Sequence, residues 1–101
     1  MEDAKNIFSA LASKPRLKIL AWLKDPEAHF PAQKFGDLEV DGVCGSRIAE
    51  KLDFSLPTVS RHMKQLVDAG LVESKRIKQW TFYRRMPSGI ERAHRTVDNA
   101  F

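Results

Sequence analysis

Between Ser55 and Val72 the chain reads SLPTVSRHMKQLVDAGLV, and Thr58, Ser60, Arg61, Lys64 and Gln65 give this short run a dense set of hydrogen-bonding side chains. Val59, Met63 and Leu66 recur at i, i+4 and i+7, a spacing that predicts a helix with these three on its buried stripe. At about 100° per residue, Pro57, Arg61, Lys64, Gln65 and Asp68 centre on the opposite side, flanked by Thr58 and Ser60, with His62 between the two sides. The guanidinium of Arg61 can address guanine with two parallel hydrogen bonds, and the amide of Gln65 can address adenine. Ser55 and Thr58 stand at the helix N-terminus, where free N–H groups and the helix dipole suit phosphate oxygens.

Such a face is useful only if its neighbours hold it out. Ser55 is a good N-cap, Pro57 falls in the first turn where a missing N–H costs little, and Gly70 suits a left-handed C-terminal residue. Ahead of it, Ser46 to Leu52 predicts a short helix with Ile48, Ala49 and Leu52 inward, joined through the turn Asp53-Phe54-Ser55. Behind it, LVESKRI, KQ and WTFYRRM predict a β-hairpin, although its Lys78-Gln79 tip lacks the usual Asn-Gly or Asp-Gly.

The remaining elements supply a core. Ala4 to Ala12 predicts a helix with Ile7, Phe8 and Leu11 on one side. Ser13 can cap the next, in which Leu17, Ile19, Leu20, Trp22 and Leu23 spread apolar surface around much of the girth. Residues 25–43, punctuated by Pro26, Pro31, Gly36 and Gly42, predict a long connection with a short strand near Asp41-Gly42-Val43. Pro87 to Phe101 predicts a last helix whose stripe of Ile90, Ala93, Val97 and Phe101 finds no partner in so small a core, so it is expected to dock on a second subunit.

At 101 residues, 43% hydrophobic and 30% charged, the composition is that of one globular domain over 1–101. No apolar run approaches the roughly 20 residues needed to span a bilayer, and the opening Met1-Glu2-Asp3 lacks a signal-peptide pattern. Cys44 is the only cysteine, which excludes an internal disulfide framework and fits a reducing cytoplasm. The net charge of +4 is concentrated: residues 55–85 hold seven lysines and arginines against two acids, while residues 86–101 balance at zero. A basic segment on a near-neutral body is the footprint of a polyanion-binding surface, although a solvated cationic face would look the same.

Two short helices about a tight turn, the second polar, followed by a basic hairpin, describe a winged helix-turn-helix. The expected fold is mainly α with a small β-hairpin wing, in the order α-α-α-α-β-β-α. SRIAEKLDFSLPTVSRHMKQLVDAGLVESKR closely resembles the core of the ArsR/SmtB transcriptional repressors, and ALASKPRLKIL resembles their second-helix opening. The resemblance covers both ends of residues 7–86 and is weak through 25–43. It implies a homodimer on double-stranded operator DNA, with a helix-turn-helix over about 46–69, a wing over about 71–86 and dimerisation helices over about 3–12 and 88–101. Ser55, Pro57, Thr58, Ser60, Arg61, His62, Lys64 and Gln65 are then the candidate reading residues, with Lys75, Arg76 and Lys78 on the adjacent backbone or minor groove. Ile7, Phe8 and Leu11 would join the last-helix stripe in the dimer interface.

Where the family often has a turn glycine this chain has Asp53, which tolerates left-handed geometry better than most residues. The proline at Pro15 is shifted by one, and the wing tip lacks the usual glycine. Many relatives bind thiophilic metals through Cys-X-Cys at the start of the third helix. Here Cys44 matches the first cysteine and Ser46 replaces the second, while the last helix offers only Glu91 and His94. No metal or cofactor is therefore expected. The effector, if one acts, is an unknown small molecule or an oxidant working through Cys44, although a small, partly buried residue explains that cysteine more simply.

Plainer roles stand beside these. His62 could pack or cap rather than meet DNA, Trp80, Phe82 and Tyr83 could fill the core face of a small sheet, and the hairpin cations could guard an edge strand. The same face could dock a protein partner. No Ser/His/Asp trio, phosphate loop or carboxylate pair points to an enzyme.

Overall fold

The computed structural model describes residues 2–101, so Met1 of the single-domain reading lies outside the described residues. Six helices and three strands follow in the order α1 (Glu2–Leu11), α2 (Lys14–Lys24), α3 (Pro26–His29), β1 (Val43–Cys44), α4 (Gly45–Leu52), α5 (Leu56–Asp68), β2 (Val72–Ile77), β3 (Trp80–Arg85) and α6 (Pro87–Ala100). The expected helices and hairpin are present, the short strand expected near Asp41-Gly42-Val43 is β1 at Val43–Cys44, and the single turn α3 joins them.

Capping fixes where the helices begin. Ser13 Oγ accepts from Arg16 N at 3.3 Å to open α2, with Pro15 in the first turn. Ile19, Leu20 and Leu23 of α2 are buried against Ile7 and Ala10 of α1, Ile48 of α4 and Val59, Met63 and Leu66 of α5. Sequence reasoning spread the apolar surface of α2 too widely. Leu17 is 50% exposed, and the buried stripe instead starts with Arg16 at 8%.

The sheet has three strands in the order β1-β3-β2, all antiparallel, so the hairpin does not stand alone. Val43 pairs with Tyr83 and Cys44 with Phe82, while the hairpin register runs from Val72 opposite Arg85 to Ile77 opposite Trp80. Neighbours on a strand point to opposite faces, yet Phe82 and Tyr83 are both buried, at 1% and 9%. Tyr83 joins the main core, and the Phe82 ring lies under the long connection at Gly36, whose φ of +78° and contact with that ring leave no room for a Cβ. This places the two residues in the sheet's packing, as the plainer sequence reading had it.

That connection is ordered by its own side chains. Gln33 bridges the open edge of β1, its Nε2 donating to Gly42 O at 2.7 Å and its Oε1 accepting from Cys44 N at 3.0 Å. Asp37 Oδ1 accepts from the backbone N–H groups of Glu39 and Val40, both at 2.9 Å.

Candidate nucleic-acid interface

Asp53 makes the turn that aims α5. It closes α4 in the left-handed region (φ 58°, ψ 43°), and Phe54 N donates back to Ala49 O at 3.0 Å. Ser55 Oγ then accepts from Thr58 N at 3.3 Å and lies 2.9 Å from Thr58 Oγ1. With Val59, Met63 and Leu66 at 0%, 1% and 0% exposure, the helix has one rotational setting, and Ser55, Pro57, Ser60, Arg61, Lys64 and Gln65 are exposed. Thr58 is half-buried. Gly70, at φ +76°, ends the helix, with Leu71 N donating to Leu66 O at 3.0 Å.

The cations fall into two groups. Lys64 Nζ lies 3.1 Å from Asp68, Lys75 Nζ lies 2.6 Å from Asp41, and Arg84 pairs with Glu73. Lys75 therefore presents less charge than its sequence position promised. The Asp41 carboxyl is held below its ordinary value, chiefly by the Lys75 hydrogen bond, and so stays ionised beside it. Arg61, Arg76 and Lys78 have no carboxylate partner among the described residues. Arg61 leans on Thr58 Oγ1 at 3.3 Å, and Arg76 Nε donates to Lys78 O at 3.3 Å. Lys78 itself makes the wing tip in the left-handed region (φ 57°), with its ammonium 5.4 Å above the Phe35 ring.

His62 does not share this face. Its Nδ1 lies 2.9 Å from Arg16 Nη1 and its ring stacks on Phe54, with centroids 6.1 Å apart and planes 28° apart. These two contacts leave it half-buried. Arg16, Phe35 and Asp41 escaped sequence reasoning. Arg16 alone left a signal, since positions 16, 19, 20 and 23 follow the helical period of the buried stripe.

On the opposite side, the expected interface stripe divides. Ile7 and Ala93, at 1% and 8%, are spent on the chain's own core, whereas Phe8 at 38% and Phe101 at 98% face outward. Leu11, Ile90 and Val97 are half-buried and line a cleft of about 260 Å³ between α1 and α6. Cys44 is buried, and its Sγ lies 3.1 Å from Ser46 Oγ. A thiol beside a hydroxyl is not a multi-sulfur donor set, and among the described residues no three His, Cys, Asp or Glu gather as metal ligands. Among the same residues no helix is long and apolar enough to cross a membrane.

A polar helix held out behind a tight turn, with a basic hairpin beside it, defines a winged helix-turn-helix. Residues 46–75 match the family model of a helix-turn-helix domain. The chain is 40% identical over 84 residues to YbzH of Bacillus subtilis (strain 168), an uncharacterized HTH-type transcriptional regulator, spanning 83% of this chain and 84% of that one. Its fold matches the ArsR family transcriptional regulator RHA00566 with a TM-score of 0.71 at 18% identity, over 98% and 87% of the two chains. It also matches the homodimeric winged helix-turn-helix domain of Mb0332 from Mycobacterium bovis, with a TM-score of 0.65 at 24% identity, over 95% and 73%. The chain belongs to the HTH-type transcriptional regulators, and its fold is the winged helix-turn-helix of the ArsR family. It is a DNA-binding regulator of transcription.

Proposed function

We propose that the chain is a cytoplasmic homodimeric repressor in which α5 reads the major groove and the β2-β3 wing holds the adjacent backbone or minor groove. The observation that carries this reading is the single rotational setting of α5. Its buried Val59, Met63 and Leu66 leave Arg61 and Gln65 exposed on the outer side, and the wing cations Arg76 and Lys78 are exposed as well. The major groove is about 12 Å wide and admits one helix, and a bidentate arginine or amide contact contributes about 1–3 kcal/mol of base discrimination. Ser55, Thr58, Ser60 and Lys64 would set the register on phosphates, with Pro57 packed beside them, as would Arg76 and Lys78 from the wing, with Lys75 contributing once released from Asp41. His62 is left out of the contact set.

Phe8, Leu11, Ile90, Val97 and Phe101 would form the surface between two copies. A two-fold dimer requires a two-fold site, with half-sites about 34–36 Å apart. Selection of bound fragments from a random duplex pool tests both halves of the proposal. Enriched inverted repeats at that spacing support it, and enriched single half-sites with no dyad overturn the dimeric reading.

A further inference from the structure

Arg16 is the buried charged residue of the described chain, 8% exposed, and no carboxylate pairs with it. Its guanidinium reaches two other helices. Nε donates to Ala10 O at 2.7 Å and Nη2 to Ser9 O at 3.1 Å, both in the last turn of α1. The end of a helix carries partial negative charge on its free carbonyls, so α1 stands in for the missing counter-ion. Nη1 meets His62 Nδ1 on α5 at 2.9 Å. Arginine has five donors and no acceptor, so this contact requires His62 to accept at Nδ1 and to carry its ring proton on Nε2.

We infer that Arg16 is a positioning residue that ties the end of α1 to the recognition helix through neutral His62, and that DNA binding therefore weakens in mild acid. This rests on α5 being the DNA-reading helix. Protonation adds a hydrogen to Nδ1 and consumes the lone pair that accepts from Arg16, leaving two cationic donors facing each other. The contact opens and α5 loses a tie to a helix expected at the dimer interface. Arg16 from α2 and Arg61 from α5, the helix that carries His62, are the charged groups acting on it. The turn before α5 presents the uncharged Phe54 ring, and α1 presents the carbonyls that Arg16 binds. Burial first, then these two cations, hold the His62 pKa below its ordinary value. A histidine placed on a phosphate would behave oppositely and bind DNA more tightly in acid.

The test compares wild type with His62→Asn, whose Oδ1 stands where Nδ1 stood and accepts without titrating. Each protein's affinity for a selected operator is measured at about pH 7.5 and about pH 5. Wild type should lose about tenfold more than the variant, within the usual range of coupling between two sites. Parallel losses, or a wild type that tightens in acid relative to the variant, would overturn the inference. Nitrogen-15 spectra of the free wild-type imidazole supply a second readout that needs neither a folded variant nor DNA. The Nε2–H tautomer with a pKa below about 6.5 supports the tie, and an Nδ1–H tautomer or a raised pKa overturns it. If the protein binds no duplex at all, the DNA-reading proposal fails while the spectra still decide the Arg16–His62 contact.

Discussion

Gly89 stands so close to Gly70 that a Cβ built on Gly89 would overlap the Gly70 carbonyl oxygen. The first turn of α6 is thereby seated directly on the turn that ends α5, backbone against backbone. Helix propensity alone favours alanine over glycine by about 0.5–1 kcal/mol, so Gly89→Ala on an open helix would stabilise. Here the overlap is with backbone that cannot turn aside. Gly89→Ala should lose about 1–3 kcal/mol in urea unfolding, as overpacking does elsewhere. At Gly70 an added Cβ meets only the movable end of Arg92, and the cost there is the left-handed backbone, about 1–2 kcal/mol. A Gly89→Ala protein as stable as wild type would contradict the seating.

Arg61 and Lys78 should separate in their effects on DNA. Arg61→Ala is expected to cost about 1–3 kcal/mol on the selected operator and to relax base preference at one position. Lys78→Ala should weaken operator and random duplex alike and shallow the salt dependence by about two units of slope, one for each subunit. Competition binding on both duplexes measures this, and equal losses from both variants on both duplexes would refute the division.

Asp41 should restrain the wing. Its ion pair holds Lys75, and its depressed pKa keeps that pair intact at neutral pH. The sign follows from the depression: the pair is present above the ordinary carboxylate range and is lost as pH falls through the lowered pKa. Asp41→Asn removes the charge and frees Lys75 in each subunit, so it should tighten binding to any duplex about threefold at low salt and steepen the salt slope by about 2. Unchanged or weaker binding would mean that Lys75 lies outside the interface.

The parts of this fold that were legible in the sequence are those whose causes are local. The stripe of Val59, Met63 and Leu66, the caps Ser13 and Ser55, and the left-handed turn at Asp53 are each set by residues within a few positions, and each is found in place. The connection 25–43 was illegible because Gln33 orders it by mimicking a strand at the edge of β1, and β1 becomes a strand only through β3, some 40 residues on. Candidate site residues show the same division. Exposure of Arg61 and Gln65 follows from helical period, but the partner of Lys75 lies 34 residues away and that of His62 lies 46 away. Ile7 and Ala93 were assigned to a partner subunit because pattern alone cannot tell a self-buried apolar residue from one awaiting a second copy.

The salt dependence of duplex binding tests the account most directly. Arg76 and Lys78 of each subunit lack carboxylate partners among the described residues, so a dimer brings four such cations to the phosphates. At about −0.9 per phosphate neutralised, log affinity should fall against log salt with a slope of about −4, for operator and random duplex alike. A protein that ignores duplex DNA in dilute buffer, or binds it with no dependence on salt, would contradict the assignment of α5 and the wing as a DNA-reading surface.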